Sequence, residues 1–146
     1  MAFKLVSAGG VNVEPTLIEI ESTGSVAVGD VLQIAQTEST KRRVVRGSSS
    51  TTIYTLFGVA ASNVASATGL ALVIPINNAQ LWEADTTASS NVNQLLCANA
   101  LSEYNVLSNS NTLSSTTAGL FTIYALRGAT TDKKVIGAFT KLNYGN

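Results

Sequence analysis

Histidine is missing from this 146-residue chain, and its absence removes most familiar catalytic apparatus at once. Without an imidazole there is no Ser-His-Asp or Cys-His nucleophile system, no His-containing metal site and no imidazole general base. Only carboxylate, lysine or tyrosine chemistry is left. Cysteine occurs once, at Cys97, so no disulfide can close within the chain and no cysteine-based metal cluster can be built. Beside Leu95 and Leu96 it reads as a small buried hydrophobe. Proline occurs only at Pro15 and Pro75, and neither proline nor glycine clusters as an interdomain linker would.

Charge is also scarce. Asp, Glu, Lys and Arg make up 12% of the residues, nine of each sign, where about 25% is usual for a globular domain. Both halves of the chain are balanced, so neither is a basic tail or an acidic arm. A broad nucleic-acid footprint is therefore not expected, because that affinity comes from Lys and Arg neutralising phosphates. The longest apolar run, Leu70 to Ile76, is seven residues and contains Pro75, too short to span a bilayer. The first ten residues lack the apolar stretch of a secretory signal. No glycine-rich phosphate loop and no Asn-x-Ser/Thr sequon occurs. No metal, no cofactor and no membrane contact is expected.

What fills the chain instead is small and polar, or β-branched. Sixteen Ser, seventeen Thr and twelve Asn keep the surface wet, while 45% of residues are hydrophobic, too many for a disordered chain. The length suits one domain that buries about 68 to 70% of its unfolded surface. Val, Ile and Thr suit a pleated, half-buried surface, and the many short apolar segments set between Gly, Ser, Thr and Asn predict an all-β fold, a small single-domain barrel or sandwich. Thr16 to Glu21 alternates, with Ile18 and Ile20 on one face and Glu19 and Glu21 on the other. Further strands are expected at Asp30 to Ala35, Arg43 to Arg46, Ile53 to Ala60, Gly69 to Ile76, Gln80 to Ala84, Leu120 to Arg127 and Lys134 to Lys141. The last two flank Gly128 to Asp132 and suggest a hairpin. Val92, Leu95, Leu96, Asn99 and Glu103 fall at helical spacing, which predicts one short helix over Asn93 to Leu101. Ser48 to Thr52, Thr86 to Asn91 and Ser108 to Thr117 read as exposed loops. Residues 1–13 read as an N-terminal arm or as an edge strand, because Phe3, Leu5 and Val6 form an apolar cluster ahead of the Gly9-Gly10 break. Residues 14–146 form the β-rich domain.

Three groups of residues are candidates for function. Glu83 and Asp85, at i and i+2 of a strand, share a face with β-carbons about 6 to 7 Å apart. Glycosidases use two carboxylates at comparable distances, though from separate elements flanking the bond; a cation site and a solvated or interface face are the other readings. Lys41, Arg42, Arg43 and Arg46 form the densest basic patch. It reads either as a contact for an acidic protein surface or as an edge strand whose charges discourage wrong pairing. Trp82, the only tryptophan, reads as a core residue or an interface anchor.

The order of segments resembles the small capsid decoration, or cement, proteins of tailed bacteriophages. The likeness rests on the early alternating strand leading to Ser25-Val26-Ala27-Val28-Gly29-Asp30-Val31-Leu32, then Phe57-Gly58-Val59-Ala60 and Leu72-Val73-Ile74-Pro75-Ile76. It continues through Leu81-Trp82-Glu83-Ala84-Asp85-Thr86, Gly119-Leu120-Phe121-Thr122-Ile123 and Val135-Ile136-Gly137-Ala138-Phe139, so that it covers most of residues 14–142. The long Asn/Ser-rich stretch from Ala88 to Thr117 departs from the family pattern. The resemblance implies a non-enzymatic virion protein, made in the host cytoplasm, that binds the major capsid protein on the outside of an assembled shell at capsomer junctions, often as a trimer. It would act without a small-molecule substrate. Phe3, Leu5, Val6, Lys41, Arg42, Arg43, Arg46 and Trp82 are the residues expected at a shell or subunit interface. The alternative class is a head-fibre or tail-associated module that recognises carbohydrate, which exposed aromatics near Trp82 or Tyr104 in a concave site would favour.

Overall fold

In the computed structural model the described residues are 3–7, 15–35, 43–48, 50–65, 68–77, 79–86, 103–104, 107–113, 120–129 and 132–139. They form β1 (Lys4–Ser7), β2 (Ile18–Thr23), β3 (Val31–Ile34), β4 (Val44–Arg46), β5 (Leu56–Ala60), β6 (Thr68–Pro75), β7 (Leu81–Thr86), β8 (Glu103–Tyr104), β9 (Leu107–Asn109), β10 (Thr112–Leu113), β11 (Phe121–Leu126) and β12 (Lys134–Phe139). The chain is all-β, as its β-branched composition implies.

Alternation builds the first half. Ile18 and Ile20 turn inward on β2, and β2 pairs antiparallel with β6 over six residue pairs, from Ile18↔Val73 to Thr23↔Thr68. With β4, β3 and β5 these strands close a barrel in the order β2-β4-β3-β5-β6. Its interior holds Val26, Leu32, Val44, Ala60, Val64, Ala71 and Val73. Valine and alanine dominate because five strands enclose a narrow space. The turn into β3 needs Gly29, whose φ of 87° is open to glycine and costly for other residues.

The second half is a seven-stranded sheet. β7 lies at its centre, antiparallel to β12, which pairs in turn with β11, and β11 with β8. Two short strands share the other side of β7. β1 runs antiparallel to Leu81–Glu83, and β10 runs parallel to Asp85–Thr86 with β9 beyond it. The expected hairpin joins β11 to β12.

Barrel and sheet share one core. β3 and β5 bury both faces: Leu32 and Ala60 point into the barrel, while Val31, Leu56 and Val59 point out against Trp82, Leu113, Phe121, Val135 and Phe139 of the sheet. Strands covered on both sides read as nearly continuous apolar runs, and Leu56-Phe57-Gly58-Val59-Ala60 is one. Phe139 is the hub of the aromatic cluster, with ring centroids 5.1 Å from Phe3, 5.0 Å from Phe121 and 5.9 Å from Trp82. The tilted and edge-on arrangements satisfy the ring quadrupoles.

Several expectations change. Of the two interface residues placed in this cluster, Phe3 is 4% and Trp82 0% exposed. Both are consumed by the chain's own core and present nothing to a partner. Residues 3–7 are an edge strand on β7, anchored by Phe3. The stretch 108–117 is no uniform exposed loop: it contributes to β9 and β10, Leu113 is wholly buried, and Ser110 is buried where its carbonyl accepts the Val31 N–H at 2.7 Å. Thr51 and Thr86, expected in exposed loops, are buried too. Thr51 is held by donating to Gln33 Oε1, and Thr86 closes β7 with its N–H on the Lys133 carbonyl. The helix expected over 93–101 lies outside the described residues, as does Cys97. Glu103, at the end of that helical spacing, stands in β8.

Candidate functional site

Glu83 and Asp85 point away from the core because Trp82, Ala84 and Thr86 between and beside them point into it. Lys134 on β12 stands in register with Asp85, and its Nζ lies 2.8 Å from Asp85 Oδ1 and 3.9 Å from Glu83 Oε1. Arg127 Nε lies 3.4 Å from the other Glu83 oxygen. The hydrogen bond from Lys134 to Asp85 raises the ammonium pKa above its ordinary 10.5; the charges of Asp85, Glu83 and Asp132 add to this, and partial burial opposes it. The pair is thus a cross-strand electrostatic tie between β7 and β12.

Beside this tie lies a shallow depression of about 370 Å³ lined by Asp85, Thr86, Thr112, Asp132, Lys133 and Lys134. Asp132 is occupied there, since its carboxylate caps the hairpin turn by accepting the Ala129 N–H at 2.9 Å. Among the described residues no group of three or more His, Cys, Asp or Glu could hold a metal ion.

The basic patch is divided. Lys41 and Arg42 lie outside the described residues. Arg43 pairs with Glu21 of β2, donating from Nη2 to Oε1 at 3.3 Å and bringing Nε to 3.2 Å from Oε2. Arg46 sits at the barrel mouth, its Nε 3.0 Å from Asp30 Oδ2 and donating to Ser110 Oγ at 3.2 Å. Asp30 is 1% exposed. Besides Arg46 it accepts the Ala27 N–H at 2.9 Å and the Ser110 hydroxyl at 3.0 Å. Arg43 and Arg46, the two described residues of the patch, are therefore held by acids of the same chain. The sequence offered no sign of this clasp, because Ser110 comes from 80 residues further along.

At the N-terminal strand Leu5 packs half-buried against the sheet core, and Val6 is 45% exposed. A second exposed apolar feature lies on the barrel: Leu17, Leu70 and Leu72 are 51%, 66% and 37% exposed. A continuous apolar run such as that of β6 shows no alternation from which its outward side could be picked out. Tyr54 and Tyr124 are exposed singly on other elements. No family model, curated protein or solved structure matches this chain.

Proposed function

We propose that this protein is a structural component of a phage particle that binds the exterior of the assembled capsid and stabilises the shell at capsomer junctions, as an oligomer in which a trimer is favoured. The observation that carries this reading, beside the family resemblance, is the use made of Glu83 and Asp85. The carboxylate pair singled out for catalysis is bridged by Lys134 and flanked by Arg127, so its charges serve the sheet. What the surface then offers is association. A ligand that binds only the assembled lattice stabilises it by its binding free energy, and many symmetric copies make the sum large.

The test is co-sedimentation of purified protein with undecorated capsids of the encoding phage, followed by heating. Bound protein should raise the temperature at which the shells rupture, and Glu83→Gln/Asp85→Asn should bind as the wild type does. Because charge is sparse, binding should weaken only modestly between low and physiological salt. Failure to co-sediment over that range would remove the reading. For the carbohydrate-binding alternative, Trp82 itself is wholly buried and offers no ring on which a sugar could stack.

A further inference from the structure

The junctions that close the barrel are unequal. β2 joins β6 over six residue pairs, while β3–β4, β3–β5 and β5–β6 are joined over three each. β2 and β4 run parallel and meet, among the described residues, at one pair, Ser22↔Val44. Parallel pairing is the weaker kind per residue, and a lone pair has no ladder to support it. Each of the two strands is also fastened to its other neighbour. Ser22 is wholly buried, and its hydroxyl lies 3.2 Å from the carbonyls of Gly24 and, on β6, Gly69. β4 is tied to the β3 side by the Ala35 N–H on the Arg43 carbonyl at 2.9 Å and by Arg46 on Asp30.

Charge stands where the ladder is short. Ile20 and Val44 pack with the barrel interior, so alternation turns Glu21 and Arg43 outward. One residue ahead of the backbone pair on each strand, they meet with Nη2 3.3 Å from Oε1 and Nε 3.2 Å from Oε2, and their side chains are only 29% and 23% exposed. Two nitrogens facing two oxygens hold orientation as well as distance, and partial burial spares the pair full screening. Closure is what removes strand edges from a barrel. An opened seam would bare edges of β2 and β4, and an unpaired edge is a template for pairing with another chain.

We propose that the β2–β4 junction is the opening seam of the barrel, with the Arg43–Glu21 pair as its salt-sensitive latch. The seam opens locally, below the cost of global unfolding, with β2 staying on β6 and β4 on β3. This device is independent of the capsid-binding reading. The experiment measures the rate at which a thiol reagent modifies the folded protein, in a Cys97→Ser background that leaves one introduced thiol. Val44→Cys places that thiol inside the barrel at the seam, and Ala60→Cys places it inside the barrel on β5, two strands from the seam on either side; both parent residues are buried. Adding Glu21→Gln should speed labelling at the seam about three- to fivefold, the weight of one partly exposed ion pair, and leave the β5 thiol unchanged. Sodium chloride at about 1 M, which shortens the screening length to about 3 Å, should speed seam labelling in the parent and add little once Glu21→Gln is present. Labelling of both thiols at one rate, or seam labelling that neither Glu21→Gln nor salt changes, would overturn the latch. Amide hydrogen exchange of the unsubstituted chain reads the same device without any variant: salt should speed exchange within β2 or β4 and leave the β5–β6 ladder as it was, and no change, or the same change in all four strands, would sink the proposal.

Discussion

At Gly137 only a hydrogen fits between β12 and β11. A β-carbon there would meet the Thr122 carbonyl oxygen and would stand 2.7 Å from Phe121 Cε1. Neither can yield easily, since one is ladder backbone and the other is part of the aromatic cluster. Gly137→Ala should therefore destabilise the protein by about 1 to 3 kcal/mol, read as a lower urea midpoint at unchanged slope. The Asp30 clasp predicts an asymmetry between its partners. Arg46→Ala leaves the buried Asp30 carboxylate with only the Ala27 N–H and the Ser110 hydroxyl and, with the arginine already 46% exposed to water, should cost about 1 to 3 kcal/mol. Asp30→Asn keeps one acceptor oxygen for the Ala27 N–H and turns an NH2 toward the Ser110 hydroxyl oxygen, which can accept it, while Arg46, whose side chain is 46% exposed, can turn to water, so it should cost less. Equal losses in urea titrations of the two variants would mean that shape, not charge, holds the clasp. Residues of this kind were not legible beforehand. Trp82 was placed in a strand by pattern alone, but whether its side chain faced the core or a partner depended on Phe3 and Phe139, which arrive from the two ends of the chain.

For the elements, legibility followed length and period. β2, β5, β6, β7, β11 and β12 each run five residues or more and carry an alternation or an apolar run that is visible along the chain. β9 and β10 have three and two residues, too few to show any period, and their polar residues read as a loop. They form because β7 offers Asp85 and Thr86 as a pairing edge and the core offers a place for Leu113. The tie between β7 and β12 belongs to this scale and has a pH signature. The Lys134 pKa is raised in the folded protein, so the stability it contributes is fully present below the ordinary value of 10.5 and is lost as pH rises through the higher folded value. The difference in urea midpoint between wild type and Lys134→Met should be constant from pH 7 to about 10 and narrow above that. A difference that stayed constant through the alkaline range would assign the loss to packing of the lysine stem instead.

For the molecule as a whole, the question is whether barrel and sheet are one cooperative body. Each has its own hydrogen-bonded ladder, and the barrel has an interior core of its own, which would allow independent unfolding. Three links oppose it. Val31, Leu56 and Val59 belong to barrel strands but are buried in the sheet's core. Ser110, on the tip between β9 and β10, binds the barrel through both its carbonyl and its hydroxyl. The Phe3 N–H donates to the Gly29 carbonyl at 3.1 Å, while the Phe3 ring fills the sheet core. Separating the halves would expose large apolar side chains on both, each worth about 1.5 to 3 kcal/mol when fully buried, against a total stability of only about 5 to 15 kcal/mol. A state with one half unfolded is therefore too costly to populate. Trp82 fluorescence, which reports the sheet alone, and far-ultraviolet circular dichroism, which reports both halves, should fall on one urea transition with the same midpoint and slope. Fluorescence moving at lower urea than dichroism would mean that the sheet opens while the barrel stands, and that the shared core is weaker than its burial implies.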